Sequence, residues 1–410
     1  MAIVQPADDY FTEDYSPVTS EMVEDIQERI GPYFTRSEPR RRFIAYLSGL
    51  LSGVERKNGS SLAEYAQEIT PDGMQRLLTT AKWDAGAIRD ELHKYINERF
   101  GDPQSVVVVS QAAFTKRGRH SAGVKKQFNE DSQRVENCQI GLFVGYAAPT
   151  STILMDRELF VPEEWRDDWT RRSRAGIPDV AFASRTALAT RMLARVIGSE
   201  LPMAWVTTSG LAHDGPALHE WLWTQRIPHI VEVLPSAAVR YKRGSQLVQA
   251  SARDLLGPVS TPRWQRFRPR GPLWSRVLLR GDATGQNAMW LVASAVRPDQ
   301  PGQQYLAAGP ATTNLAELAH AAQAWAGIKE ALNRAKDRVG LDDYETRRYV
   351  AWYRHVTLAL FADALLQAHV RPPSDTECGL TAVASRAIGE KGVRELCLHH
   401  QRPAGTSLAR

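Results

Sequence analysis

The chain has 410 residues, 43% of them hydrophobic and 24% charged, with a formal net charge of +5. That balance suits a soluble globular protein with one large or two moderate cores. No run approaches 18 apolar residues, so no membrane-spanning helix is expected. The acidic, aromatic start MAIVQPADDYFTEDY lacks the marks of a signal peptide, which makes the cytoplasm the expected compartment.

Residues 1–20 read as a flexible N-terminus. Apolar residues at helical spacing then run through 21–30 and 40–54. Thr70-Pro71-Asp72 reads as a helix start, with Thr70 as N-cap and proline in the first turn, and 74–80 and 84–100 continue the pattern. Residues 21–103 are therefore expected to form a helical N-terminal domain. Its basic groups Arg40-Arg41-Arg42 and Arg56-Lys57 form a solvated face in the plain reading and a grip on DNA phosphates in the functional one.

The texture changes at Gln104. Segments 105–109, 138–146 and 152–160 are rich in Val, Ile, Leu and Phe and read as strands. A helix at 186–198 leads into a strand at 203–207, and a helix at 217–225 into a strand at 230–234. Strands followed by alternating helix and strand predict a mixed α/β sheet over 104–234. Residues 235–300 read as a β-rich insertion and 298–310 as a linker. Long helical patterns at 315–339 and 346–369 place core-closing helices within 311–369. Residues 370–410 read as a loose polar tail. Cys397, His399 and His400, with Cys378 upstream, lack the paired spacing of a zinc site. Together with Cys138, the cysteines are too few and scattered for a disulfide framework. The turn Gly281-Asp282-Ala283-Thr284-Gly285 lacks the helix and lysine of a phosphate loop.

Several strings then fall in one order: GLLSGVERKNGSSLAEYA at 49–66, TPDGMQRLL at 70–78, ENCQIGLFVGYA at 136–147, DRELFVPEEW at 156–165, AGIPDVAFASR at 175–185 and GLDDYETRRYVAWYRHVTLAL at 340–360. From about residue 20 to 368 the chain resembles the insertion-sequence transposases of the DDE superfamily, and most of all the insertion sequence seven-oh-one family. The resemblance implies an RNase H-like mixed sheet with helices on both faces, an α-helical N-terminal domain and a β-rich insertion. In that family two aspartates and a glutamate hold two Mg²⁺ ions for strand transfer.

Aligning Phe114-Thr115-Lys116-Arg117-Gly118 with the family's VVDETGFxKKG places Ser110 where the first aspartate stands, at the end of the first strand. Anchoring Trp205-Val206-Thr207 on WVTxDxVYG places Ser209 at the second. Counting seven back from Lys336 in the family's RWxxEExFxxAK helix places Lys329 at the glutamate and Trp325 at the arginine. Mg²⁺ demands oxygen ligands, and none of the three replacements is a carboxylate. The resemblance thus supports the fold and withdraws the strand-transfer chemistry. No cofactor is expected.

Three functions follow, in order of preference. The first is a non-catalytic DNA-binding protein, such as a regulator, contacting phosphates through Arg40, Arg41, Arg42, Arg56, Lys57, Lys116, Arg117, Arg119, Lys125, Lys126, Lys242 and Arg243. The second is an enzyme whose emptied cleft binds a small molecule through Gln111, Thr208, His213 and Glu330 beside Ser110, Ser209 and Lys329. Lys329 would serve there as an anchor or, if buried, as a base or nucleophile. The third is an active transposase with relocated Mg²⁺ ligands such as Asp214 and Glu330. Asp156 and Glu158 are read as structural acids, and Tyr353-Arg354-His355 as a packed helix face. A homodimer is implied by family analogy alone.

Overall fold

The computed structural model describes residues 20–256, 264–297 and 300–369. The expectations for residues 1–19 and for the tail with Cys378, Cys397, His399 and His400 lie outside the described residues.

Helices open the chain: α1 (Ser20–Ile30), α2 (Ser37–Leu51), α3 (Gly59–Tyr65), α4 (Asp72–Thr79) and α5 (Ala85–Phe100). Local chemistry sets their starts. The Asn58 carbonyl oxygen accepts from the N–H groups of Ser60 and Ser61, and Asp84 accepts from Gly86. At α4 the expectation is corrected: Pro71 is the N-cap residue. Thr70 donates its hydroxyl to Asp72 instead of capping the backbone. The rings of Phe34, Phe43 and Trp83 cluster in this helical layer with centroids 5.1 to 6.0 Å apart, Phe43 meeting both of the others edge to face.

The sheet begins with β1 (Val106–Thr115), β2 (Lys125–Asn129), β3 (Arg134–Ala147) and β4 (Thr152–Phe160). Short helices α6 (Glu164–Asp167) and α7 (Trp169–Ala175) precede α8 (Arg185–Gly198). Then come β5 (Trp205–Thr208), α9 (Gly215–Thr224) and β6 (His229–Val233). β3 lies antiparallel between β1 and β4, while β5 is parallel to β1 and β6 to β5. The order β4-β3-β1-β5-β6 is the RNase H-like arrangement.

Beyond β6 the chain forms the hairpin β7 (Ala238–Arg243) and β8 (Gln246–Ser251), α10 (Ala252–Leu256), β9 (Gln265–Arg266), β10 (Leu273–Gly281), β11 (Asn287–Arg297) and β12 (Gln300–Pro310). Of the expected linker, Gln300–Pro310 is strand. β12 pairs antiparallel with β11 on one edge and with β6 on the other. Its prolines and glycines suggest a break, yet Tyr305, Leu306, Ala307 and Ala308 are buried in the sheet. The segment 281–285 is the turn between β10 and β11, as read from the sequence.

Closing helices are α11 (Leu315–Gln323), α12 (Trp325–Val339) and α13 (Tyr349–His369). The single helix expected at 315–339 breaks at Ala324. The new start brings Gly327 flush against Thr152 of β4, where a Cβ would collide with the threonine hydroxyl. No helix among the described residues is long and apolar enough to cross a membrane.

Every residue of β4 from Ile153 to Leu159 is buried, which requires cover on both faces. Three of those residues are charged. Asp156 is fully buried and receives two hydrogen bonds from Arg195 of α8, at 2.9 and 3.0 Å. Arg195 also reaches Glu158 at 2.9 Å, and Glu158 accepts from the Tyr353 hydroxyl of α13 at 2.7 Å. Burial alone would raise the Asp156 carboxyl, but Arg195 outweighs it and holds the group below the ordinary carboxylate range. On α13, Arg354 donates to the carbonyls of Leu77, Ala81 and Trp83, and the buried His355 bonds Tyr46 and Gly340. These placements make the acids of β4 and the Tyr353-Arg354-His355 face structural.

Arg195→Met leaves the buried Asp156 charge without its partner and is expected to cost about 3–5 kcal/mol of folding free energy. Arg195→Met combined with Asp156→Leu should cost less, because the fully buried Asp156 carboxylate is no longer left facing the missing guanidinium. Urea unfolding of both variants measures this; equal losses would contradict the account.

Candidate functional site

The parallel pairing of β1 with β5 runs from Val106↔Trp205 to Val109↔Thr208. Ser209 adds one last bond, its N–H donating to the Val109 carbonyl at 2.9 Å. The chain then turns at Gly210, in the left-handed region at φ 70°. β1 does not end at Val109 as expected. It continues to Thr115 because β3 pairs it along its whole length, with Ser110 opposite Phe143. Ser110 thus sits mid-strand, at the point where β1 loses its parallel neighbour.

Alternation along β1 puts Ser110 on the same face as Val108 and Phe114. That face meets α12: Gly145, opposite Val108, lies against Ile328, and the Lys336 ammonium stands 5.6 Å from the Phe114 ring. Lys329 follows Ile328 on the same helix. Ser110 and Ser209 are buried, whereas Lys329 is exposed, 5.6 Å from the Trp325 ring. The burial required for Lys329 as base or nucleophile is therefore missing.

Sequence reading did not find the two carboxylates that hold this cleft. The Gln111 amide donates to Glu130 at 2.8 Å and to the Gly210 carbonyl at 2.9 Å. The Gly210 N–H donates to Glu232 at 3.1 Å. A Cβ at Gly210 would lie 2.5 Å from a Glu130 oxygen, so both the turn and the contact require glycine. Glu130 is an exposed residue whose carboxyl meets the Gln111 amide and the Gly210 turn. Burial pushes that carboxyl up; the Gln111 bond opposes, the Glu232 charge adds, and Lys329 opposes. No motif marks Glu130 or Glu232, which come from distant segments.

The other cleft candidates scatter. Thr208 spends its hydroxyl accepting the Glu232 N–H. His213 and Glu330 are exposed. Asp214 accepts from Thr186 and begins α9. Two hydroxyls and an ammonium at the aligned positions do not fit a pair of Mg²⁺ ions, and Lys329 would repel them. Among the described residues no three His, Cys, Asp or Glu side chains gather into a metal-binding group.

The basic positions divide sharply. Lys57 is buried, its ammonium donating to the carbonyls of Leu50 and Ser52. Lys116 donates to the Tyr344 carbonyl and lies 3.5 Å from that ring. Both are structural, which corrects their reading as DNA contacts. Burial pulls each ammonium down to about 8, with nearby aspartates opposing. Arg42 is bound by Glu38 and Glu68, and Arg56 by Glu345. Arg40 and Arg41 are exposed but share their groove with Glu24, Glu28 and Glu38. Lys242 and Arg243 are exposed at the β7–β8 hairpin.

A different grouping forms around β2 and α7. Arg117, Arg119, Lys125, Lys126, Arg171 and Arg174, with His120, line one groove of about 720 Å³ against the two carboxylates of Glu164 and Asp168. Arg171 holds its wall in shape, donating to the carbonyls of Arg119 and Val124 and lying 3.6 Å from the Trp165 ring. Lys125 is paired with Glu164 at 3.0 Å. Arg171 and Arg174 join this groove from α7.

A sequence model of the family described as "DDE superfamily endonuclease" matches residues 29–270. A solved structure, "Crystal structure of the Mos1 Strand Transfer Complex", is similar at 11% identity with a TM-score of 0.17. The match covers 56% of this chain and 62% of that chain, so this chain spans less than two thirds of it. No curated protein matches the sequence.

The burial of Lys116 has a measurable sign. In the unfolded chain its ammonium titrates near the ordinary 10.5, in the folded protein near 8. Between those values the unfolded state binds the proton that the native state has lost, so stability rises with pH across the window. Lys116→Met should flatten that rise. Its unfolding free energy relative to the parent protein should fall by roughly 1–2 kcal/mol between pH 8 and pH 10, read by urea titration at each pH.

Proposed function

The chain belongs to the DDE superfamily endonuclease family, and from that premise we propose that it is a transposase-derived DNA-binding protein without the metal-dependent strand-transfer site. The finer lineage proposed is the insertion sequence seven-oh-one family, on the strings that carry the resemblance. The observation that carries the loss of chemistry is Lys329. A cation stands where the aligned helix would supply a carboxylate, on the helix that packs against the Ser110 face. Remote acids do not make good the loss, because Asp214 is engaged by Thr186 and Glu130 by Gln111.

DNA binding is supported by the groove around β2 and α7. Guanidinium and ammonium groups there outnumber carboxylates three to one, the balance that phosphate contact favours. Such contacts supply affinity and register without reading sequence. The exposed Lys242 and Arg243 belong to the same proposal as outlying contacts.

Fluorescence anisotropy with a labelled duplex tests this reading. Binding should be unaffected by replacing Mg²⁺ with a chelator, and it should fall by orders of magnitude, about 10²-fold or more, between 50 and 200 mM salt. Arg119→Ala, Lys126→Ala and Arg174→Ala should each weaken binding evenly across duplex sequences and lower the salt slope by about 1. Lys57→Met should leave it unchanged. Absence of duplex binding at low salt overturns the DNA reading; Mg²⁺-dependent strand cleavage overturns the loss of chemistry.

A further inference from the structure

Apart from the serine cleft and the basic groove, α9, the hairpin β7–β8 and strands β10 to β12 enclose a pocket of about 340 Å³. Beside it stands a pair of histidines, of which His219 is part of the wall. Nδ1 of His219, on α9, is 2.8 Å from Nε2 of His229, on β6, and Nδ1 of His229 is 2.7 Å from the Ile227 carbonyl oxygen. A carbonyl can only accept, so His229 carries its proton on Nδ1 and offers a lone pair at Nε2. His219 must then donate from Nδ1. Burial keeps both rings neutral, drawing His219 down to about 3, with His229 and Arg280 adding to the effect, and His229 down to about 4 against the opposing Ile227 bond. The chain of bonds therefore leaves His219 with an unprotonated Nε2.

That nitrogen has no hydrogen-bond partner among the described residues. His219 lines the pocket and His229 does not; the ring edge left free by the bond to His229 carries Nε2. Arg280 and Arg240 line the same space, with the exposed Glu220 as its one carboxylate. Arg280 is half-buried and spends its Nε–H on the Met289 sulfur at 3.1 Å, a weak acceptor. Neither arginine makes an ion pair among the described residues. Trp223 and Leu306 supply apolar wall. A histidine pair that served packing alone would not need a fixed acceptor beside two unpaired guanidinium groups.

We propose that this pocket binds a small organic anion that also carries a hydroxyl. Arg280 and Arg240 take the anionic head, which is a carboxylate or a phosphate. Trp223 and Leu306 cover the apolar body, and His219 Nε2 accepts the hydroxyl proton in a hydrogen bond. His229 is a positioning residue that fixes the tautomer of His219. The assignment is independent of DNA binding, because none of these residues lies in the basic groove.

The test is nuclear magnetic resonance of the full chain with isotope-labelled histidine, titrated with para-hydroxybenzoate, para-hydroxyphenyl phosphate and benzoate. In the free protein His219 should show its proton on Nδ1. At least one hydroxylated anion should shift the His219 Nε2 signal saturably, and the tighter of the two identifies the head group. Benzoate, lacking the hydroxyl, should bind about tenfold more weakly than para-hydroxybenzoate if the head is a carboxylate. Arg280→Gln, at a half-buried strand position, should weaken the tighter ligand about tenfold or more. His219→Phe should do the same, with thermal unfolding confirming that each variant folds. A His219 proton found on Nε2, no shift with either hydroxylated anion, or undiminished binding in both folded variants overturns the proposal.

Discussion

A central strand is held by hydrogen bonds on both edges, and the place where one edge is released decides where polar chemistry can begin. In β1 that place is Ser110. Up to Val109 the strand is paired on both sides and its side chains are wholly apolar. At Ser209 the partner β5 leaves the sheet, and the next residues on β1 are a serine and a glutamine. The opening is then tied back by Gln111, Glu130 and Glu232 around Gly210. The cleft therefore follows from strand length: four residues of β5 against ten of β1. Its shape persists whichever residue occupies position 110.

The charged core obeys a related rule. β4 is covered on both faces, so the carboxylates of Asp156 and Glu158 must find partners inside the protein, and Arg195 serves both. Tyr353 and His93 approach the same group from α13 and α5. Helices separated by more than two hundred residues of chain are thus fastened to one strand by a shared set of charges. Hydrophobic burial brings these elements together, and the ion pairs restrict which rotations of α8 and α13 are tolerated.

Apolar runs made β1, β3, β4 and the β5–α9–β6 unit legible in the sequence, since their residues are buried in the expected patterns. β2 was invisible because KKQFN lies at the sheet margin and buries only Asn129. β12 was hidden by prolines and glycines that ordinarily mark loops, when here the partner strands on both sides supply the stability that local propensity lacks. Cations proved the least readable class. Lys57 and Lys116 look no different in sequence from Lys126, yet the first is buried and the second half-buried against carbonyls, while the third faces solvent. The same holds for Glu130 with Gln111 and for His219 with His229, whose meanings arise only when separate elements meet.

The pairing of β12 with β6 has a mechanical consequence. It welds the region after β6 to the RNase H-like strands, so that ten strands among the described residues form one plate. The basic groove borders β2 at one margin, and the histidine pocket lies over β10 to β12 towards the other. Between them, among the described residues, runs a continuous ladder of hydrogen-bonded strands. A load applied at one margin is therefore shared as twist across the plate, and the two surfaces keep their separation as stiffly as two fittings bolted to a single beam.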